Sequence, residues 1–213
     1  MTHIAAFDAA FERLPLVAIL RGLRPDEAER MGEALVEAGF VLIEVPLNSP
    51  EPLDSIARMA RRLEGRAVVG AGTVLTPDAV ARVEGAGGTM IISPNADTRV
   101  IAEAAARGLM SLPGVATPTE AFAALDAGAT ALKLFPAEGA SPAVLKAMRA
   151  VLPPATRVLP VGGIAPDNMT PWIGAGAAGF GLGSALYKPG MSAAEMGDNA
   201  RRFAQAWRTV VAG

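Results

Sequence analysis

Residues 109–135 read LMSLPGVATPTEAFAALDAGATALKLF. A short apolar run (109–112) leads through Pro113-Gly114 to Thr117-Pro118-Thr119-Glu120. A threonine before a proline signals a helix start, because the hydroxyl accepts from free N–H groups and the proline has its φ already set. Alanine and leucine follow at helical spacing, and Gly128 supplies the residue that most readily ends a helix in the left-handed conformation. A second apolar run opens at Ala131. Strand, loop, capped helix, glycine stop and strand make one βα unit.

The unit recurs. Apolar runs occupy 16–20, 41–47, 67–71, 90–93, 109–112, 131–135, 157–161 and 179–182, starting roughly 19–26 residues apart. Between them stand further start signals: Arg24-Pro25-Asp26-Glu27, Asn48-Ser49-Pro50-Glu51, Thr76-Pro77-Asp78, Ser141-Pro142 and Ala165-Pro166-Asp167. Gly39, Gly87, Gly108 and Gly176 are the matching stops. Eight units predict an α/β fold, a closed parallel (β/α)8 TIM barrel formed by a single domain over 1–213, with residues 3–13 as a short N-terminal helix. A doubly wound open sheet is the competing arrangement.

Composition narrows the chemistry. The 213 residues carry a formal charge of −2, a balance that argues against a nucleic-acid partner. No apolar run approaches the roughly 18 residues of a membrane span, so no membrane partner is expected. Met1-Thr2-His3 opens no basic-then-apolar leader, which points to the cytoplasm. There is no cysteine, and His3 is the only histidine. Thiol nucleophiles, Ser-His-Asp triads and most zinc chemistry are thereby excluded, leaving carboxylates, lysine, arginine, hydroxyls and backbone.

In such barrels the reactive groups collect where strands end. Nineteen basic residues include only three lysines, Lys133, Lys146 and Lys188. Lys146 and Lys188 read as solvated, whereas Lys133 lies inside Ala131-Leu132-Lys133-Leu134-Phe135. Alternation puts Leu132 and Leu134 toward the helices and the amine inside the ring, where burial favours the neutral form that attacks a carbonyl. By the same alternation Val41, Ile43 and Val45 face the helices while Glu44 points inward, suited to moving protons beside Lys133. A buried structural ion pair between the two is the other reading.

Arg21 closes the first strand and suits a carboxylate ligand, or else a rim salt bridge. Gly162-Gly163 and Gly183-Ser184 close the seventh and eighth strands, where backbone N–H groups and a following helix N-terminus commonly hold phosphate. Val69-Gly70-Ala71-Gly72-Thr73 fails as a dinucleotide fingerprint, since Leu75 stands where the third glycine is needed, so Thr73 reads as a hydroxyl facing the pocket. Trp172 and Trp207 read as packing residues.

Ala18-Ile19-Leu20-Arg21-Gly22, Gly70-Ala71-Gly72-Thr73-Val74, Ser93-Pro94-Asn95, Leu132-Lys133-Leu134-Phe135-Pro136 and Val161-Gly162-Gly163, in order across nearly the whole chain, resemble the pyruvate-forming class I aldolases of sugar-acid breakdown. The resemblance implies a metal-independent aldehyde-lyase without cofactor, acting on a phosphorylated keto-deoxy sugar acid and releasing pyruvate, assembled as a homotrimer. It assigns Lys133 as Schiff-base nucleophile and Glu44 as proton shuttle. Arg21, Thr73, Pro94, Phe135, Val161, Gly162, Gly163, Gly183 and Ser184 then form the substrate site. Val161, and Asn48-Ser49-Pro50 after Glu44, are nearer the 6-phosphogalactonate-type members than the 6-phosphogluconate type, which carry Thr and a Thr-Leu-Arg-Thr segment at these places. A phosphosugar epimerase or isomerase, and a non-catalytic phosphosugar-binding barrel, are the remaining alternatives.

Overall fold

The computed structural model describes residues 2–211. Among them the strands are β1 (Leu16–Ile19), β2 (Leu42–Pro46), β3 (Val68–Gly72), β4 (Met90–Ile92), β5 (Met110–Leu112), β6 (Gly114–Val115), β7 (Leu132–Leu134), β8 (Val158–Pro160) and β9 (Phe180–Leu182). The helices are α1 (His3–Arg13), α2 (Pro25–Glu37), α3 (Pro52–Arg62), α4 (Pro77–Gly85), α5 (Thr98–Ala106), α6 (Pro118–Asp126), α7 (Pro142–Arg149), α8 (Met169–Gly174) and α9 (Ala193–Val211). All strand pairs are parallel, in the orders β5-β4-β3-β2-β1-β9 and β6-β7-β8.

Eight barrel staves appear as nine strands because Pro113, which has no N–H, interrupts the fifth between β5 and β6. The sheets join there, with the Lys133 N–H donating to the Pro113 carbonyl at 2.9 Å. They join again at the Val161–Gly181 bridge and the Ala178 N–H to Val158 O bond of 2.9 Å. The ring is closed, as the βα repeat predicts.

Side chains alternate across the ring. Ile43, Val45, Leu132, Leu134 and Val158 pack outward under the helices. Val17, Leu42, Val68, Met90, Met110, Ala131 and Leu159 fill the interior. One expectation is corrected: Val41 joins the interior set because it lies before β2 begins, where the strand's alternation does not yet govern it. Helix α1 closes the N-terminal end of the ring. Its Phe7, Ala10 and Phe11 belong to the interior cluster, and the two rings, one turn apart, lie 5.6 Å between centroids. Arg157 stacks over Phe11 at 4.7 Å and pairs with Asp8 at 2.5 Å, fixing the helix to the ring.

Thr76, Thr117 and Ser141 cap α4, α6 and α7 as their sequences predict, Thr117 with a full capping box to Glu120. The five glycine stops, Gly39, Gly87, Gly108, Gly128 and Gly176, all have positive φ. Trp172 is buried, and Trp207 packs edge-on to Phe180 at 6.1 Å. Two start signals are misplaced. Helix α3 begins at Pro52 instead of Pro50, because Asn48 and Ser49 bond to the Arg21-Gly22 segment, and Glu51 turns the chain with φ 39°. Helix α8 begins at Met169, since Asn168 uses its side chain to bridge the Ala165 N–H and the Gly163 carbonyl in the turn before it.

Phe7 is wholly buried. Phe7→Ala is expected to cost roughly 3–5 kcal/mol of unfolding free energy in urea titrations, as for other buried aromatics. A loss under about 1 kcal/mol would mean that α1 does not close the ring.

Candidate active site

Lys133 lies in the middle of β7 with its amine inside the ring, and its Nζ is 4.3 Å from the centroid of the Phe135 ring on the same strand face. With 7% of its surface exposed, it is neither in bulk water nor sealed off. Burial drives its pKa below the ordinary 10.5; the charge of Glu44 opposes that shift and that of Arg21 adds to it. An amine in this setting reaches the neutral, nucleophilic state more easily than a surface lysine.

Glu44, on β2, is 2% exposed. Burial pushes its carboxyl up to about 7, against the pull of Lys133, Arg21 and a hydrogen bond from the Gly72 backbone. Its Oε2 has no hydrogen-bond partner. No salt bridge within 4.0 Å joins Glu44 to Lys133 among the described residues, so they are not a structural ion pair. They interact through space, both turned to one interior. The carboxylate lies against Gly72 where a Cβ would stand, so any side chain at the end of β3 would displace it. The next residue, Thr73, is half-buried with a left-handed φ of 57°, an unusual conformation for a β-branched side chain and one found mostly at functional sites.

The remaining sequence-predicted residues ring the mouth at the C-terminal ends of the strands. Arg21 is exposed, donates from Nη1 to the Asn48 amide oxygen at 2.6 Å, and forms no salt bridge among the described residues. Pro94 and Phe135 are half-buried, and Val161 is buried at the end of β8. Gly162 and Gly163 have consecutive positive φ values of 113° and 65°. Their N–H groups and that of Ser184 donate to no internal acceptor among the described residues, leaving free donors on two adjacent loops. One part of the expectation fails: no helix starts at either loop. Turns follow instead, with α8 beginning only at Met169 and α9 at Ala193. Any anion would therefore be held by loop amides without a helix macrodipole directly behind them.

Glu138 escapes sequence reasoning. It sits on the short turn Ala137–Gly139 after β7, and its carboxylate lies across Gly162 and Gly163 where a side chain at either position would collide with it. An acid five residues beyond the barrel lysine, in a loop of the reactive rim, was the available signal. Lys146 and Lys188 are exposed, as expected. A separate groove of about 790 Å³ between α2, α3 and α9 lies outside the barrel. Several of its arginines are already paired, Arg62 with Glu33 and Arg30 with Glu27, as on a solvated helix face.

A buried lysine and glutamate under a rim of free donors, in a (β/α)8 barrel, define a carbonyl-handling barrel enzyme. The family model for KDPG and KHG aldolases matches residues 7–202. The chain is 46% identical over 199 residues to the 2-dehydro-3-deoxy-6-phosphogalactonate aldolase of Escherichia coli (strain K12), covering 93% of this chain and 97% of that protein. A native KDPGal structure superposes with a TM-score of 0.93 at 45% identity, covering 94% of this chain and 98% of that one. The KDPG aldolase of Legionella pneumophila, solved with pyruvate captured as a covalent carbinolamine, superposes with a TM-score of 0.77 at 26% identity, over 95% and 96% of the two chains. This chain belongs to the KDPG and KHG aldolase family.

Because Glu44 binds its proton more tightly folded than unfolded, its stabilising contribution is complete below about pH 4.5 and is lost as pH rises through about 7. Glu44→Gln, which keeps the neutral shape, should therefore gain stability over the wild type between those values, by on the order of 3 kcal/mol. Urea titrations at pH 5 and pH 8 measure this; an equal difference at both would show that the carboxyl does not titrate in this range.

Proposed function

We propose that this chain is a class I aldolase cleaving 2-dehydro-3-deoxy-6-phosphogalactonate to pyruvate and D-glyceraldehyde 3-phosphate. The observation that carries the reading is Lys133: buried in the ring, its ammonium disfavoured, and free of any contact ion pair with Glu44. The relatives' names and the carbinolamine captured in the Legionella enzyme support the same chemistry.

Lys133 Nζ attacks the C2 ketone to give a carbinolamine, and loss of water leaves a protonated imine. Glu44, whose carboxyl near 7 gains and loses protons at neutral pH, takes the C4 hydroxyl proton. The C3–C4 bond then breaks; its electron pair passes into the iminium to form an enamine, and D-glyceraldehyde 3-phosphate departs. Protonation at C3 regenerates the imine, and water hydrolyses it to pyruvate and the free lysine. The imine is the electron sink. Arg21 and Thr73 hold the pyruvyl carboxylate, Pro94 and Phe135 wall the pocket, and the amides of Gly162, Gly163, Gly183 and Ser184 hold the phosphate. Val161, an apolar wall before the glycine pair, favours the galactonate epimer. Cleavage of the gluconate epimer is the alternative, and weaker, reading.

The ring takes β1 and β9 as neighbours from opposite ends of the chain, which supports a single domain over 1–213. No helix among the described residues is long and apolar enough to cross a membrane. A cytoplasmic location and a homotrimer complete the proposal, resting on the family resemblance.

Borohydride with pyruvate is expected to form a covalent adduct on Lys133, found by peptide mass mapping, and Lys133→Ala to abolish both adduct and cleavage. An unmodified Lys133 in the wild type would favour a binding or isomerase role. For substrate choice, kcat/KM on the galactonate phosphate should exceed that on the gluconate phosphate by at least about tenfold, the scale set by one well-packed contact. The reverse order would overturn the assignment of Val161.

A further inference from the structure

The loop that leaves β2 does more than connect it to α3. Ser49 N–H donates to the Pro46 carbonyl at 2.9 Å, so the chain turns back directly after the strand that carries Glu44. The buried Ser49 Oγ accepts from the Gly22 N–H at 2.9 Å, and the Asn48 amide oxygen accepts from Arg21 Nη1 at 2.6 Å. Two consecutive residues thus grip two consecutive residues of the loop after β1. Pro189 supports that loop from the other side, packing so closely on Gly22, at φ 83°, that a side chain there would collide with it. The segment's helix-start signal is overridden for this purpose, since α3 waits until Pro52.

A guanidinium has five N–H donors and no acceptor, so the Asn48 oxygen must be the atom that faces it. Occupation of Nη1 leaves the edge formed by Nε and Nη2, which no described residue engages. That edge receives a carboxylate side-on through two parallel hydrogen bonds. The partner's charge matters equally. An amide fixes the guanidinium while leaving its positive charge whole; an acid in the same place would close it into an ion pair.

We propose that Asn48, braced by Ser49, is a positioning residue that presents the open edge of Arg21 to the substrate carboxylate and thereby sets affinity for the keto acid. The inference rests on the aldolase reading above. Its test uses the full chain with pyruvate as probe: the rate of borohydride trapping is followed against pyruvate concentration, alongside kcat and KM for cleavage.

Asn48→Ala should raise the half-saturating pyruvate concentration about tenfold, the scale of one hydrogen bond to a charged group. Asn48→Asp should raise it further, although it has nearly the same shape. Ser49→Ala should shift it in the same direction by less. Trapping at saturating pyruvate, and kcat, should stay within about threefold of the wild type, since Lys133 and Glu44 are untouched. Half-saturation within about twofold of the wild type in both Asn48 variants would overturn the proposal. So would a fall in maximal rate at unchanged half-saturation, the mark of a loop with only a structural role. A wild type that pyruvate and borohydride leave unmodified would instead overturn the aldolase reading, and this inference with it.

Discussion

Two ionisable side chains removed from water into one interior, with no salt bridge between them among the described residues, are the constraint on which the rest of this molecule depends. Burial is the largest influence on both: it lifts Glu44 to about 7 and lowers Lys133 from the ordinary amine range. A contact ion pair would have recovered much of that cost and held both groups charged. Separation prevents this. Arg21 adds a smaller effect, since its positive charge disfavours the ammonium and favours the carboxylate. A fixed cation at the mouth thus supports the combination of neutral amine and ionised acid, the state that can both attack a carbonyl and receive a proton.

The scaffold maintains this arrangement through backbone. Gly72 clears space for the carboxylate and supplies a hydrogen bond to it. Pro113 breaks the fifth stave but leaves its carbonyl to hold the Lys133 N–H, so the irregular strand registers the one with the amine. Below, the two phenyl rings of α1 fill the space beneath the polar layer. Exchange with solvent is thereby directed to the opposite, loop-lined end.

Much of this was legible in the sequence. Alternation in Ala131–Phe135 turns Lys133 inward because the leucines must meet the helices, and the glycine stops mark the helix ends because a left-handed residue is needed there. Elements whose local signals compete with tertiary bonds were not legible. The Asn48-Ser49-Pro50 segment has the composition of a helix start, yet its polar groups are recruited by a loop 27 residues earlier. Val41 has the right parity for the outer face but precedes the strand that enforces it. Glu138 lies over the glycine pair only because two loops distant in sequence meet at the rim, a proximity that periodicity does not encode.

The joint between β8 and β9 is the thinnest in the ring, one bridge and one further backbone hydrogen bond where other neighbours share a ladder. The loops bearing the unused amides, Gly162-Gly163 and Ser184, rise from its two sides. An anion lodged among them would act as a rivet across that gap, so the barrel's mechanical closure would tighten when the site is filled and slacken when it is empty.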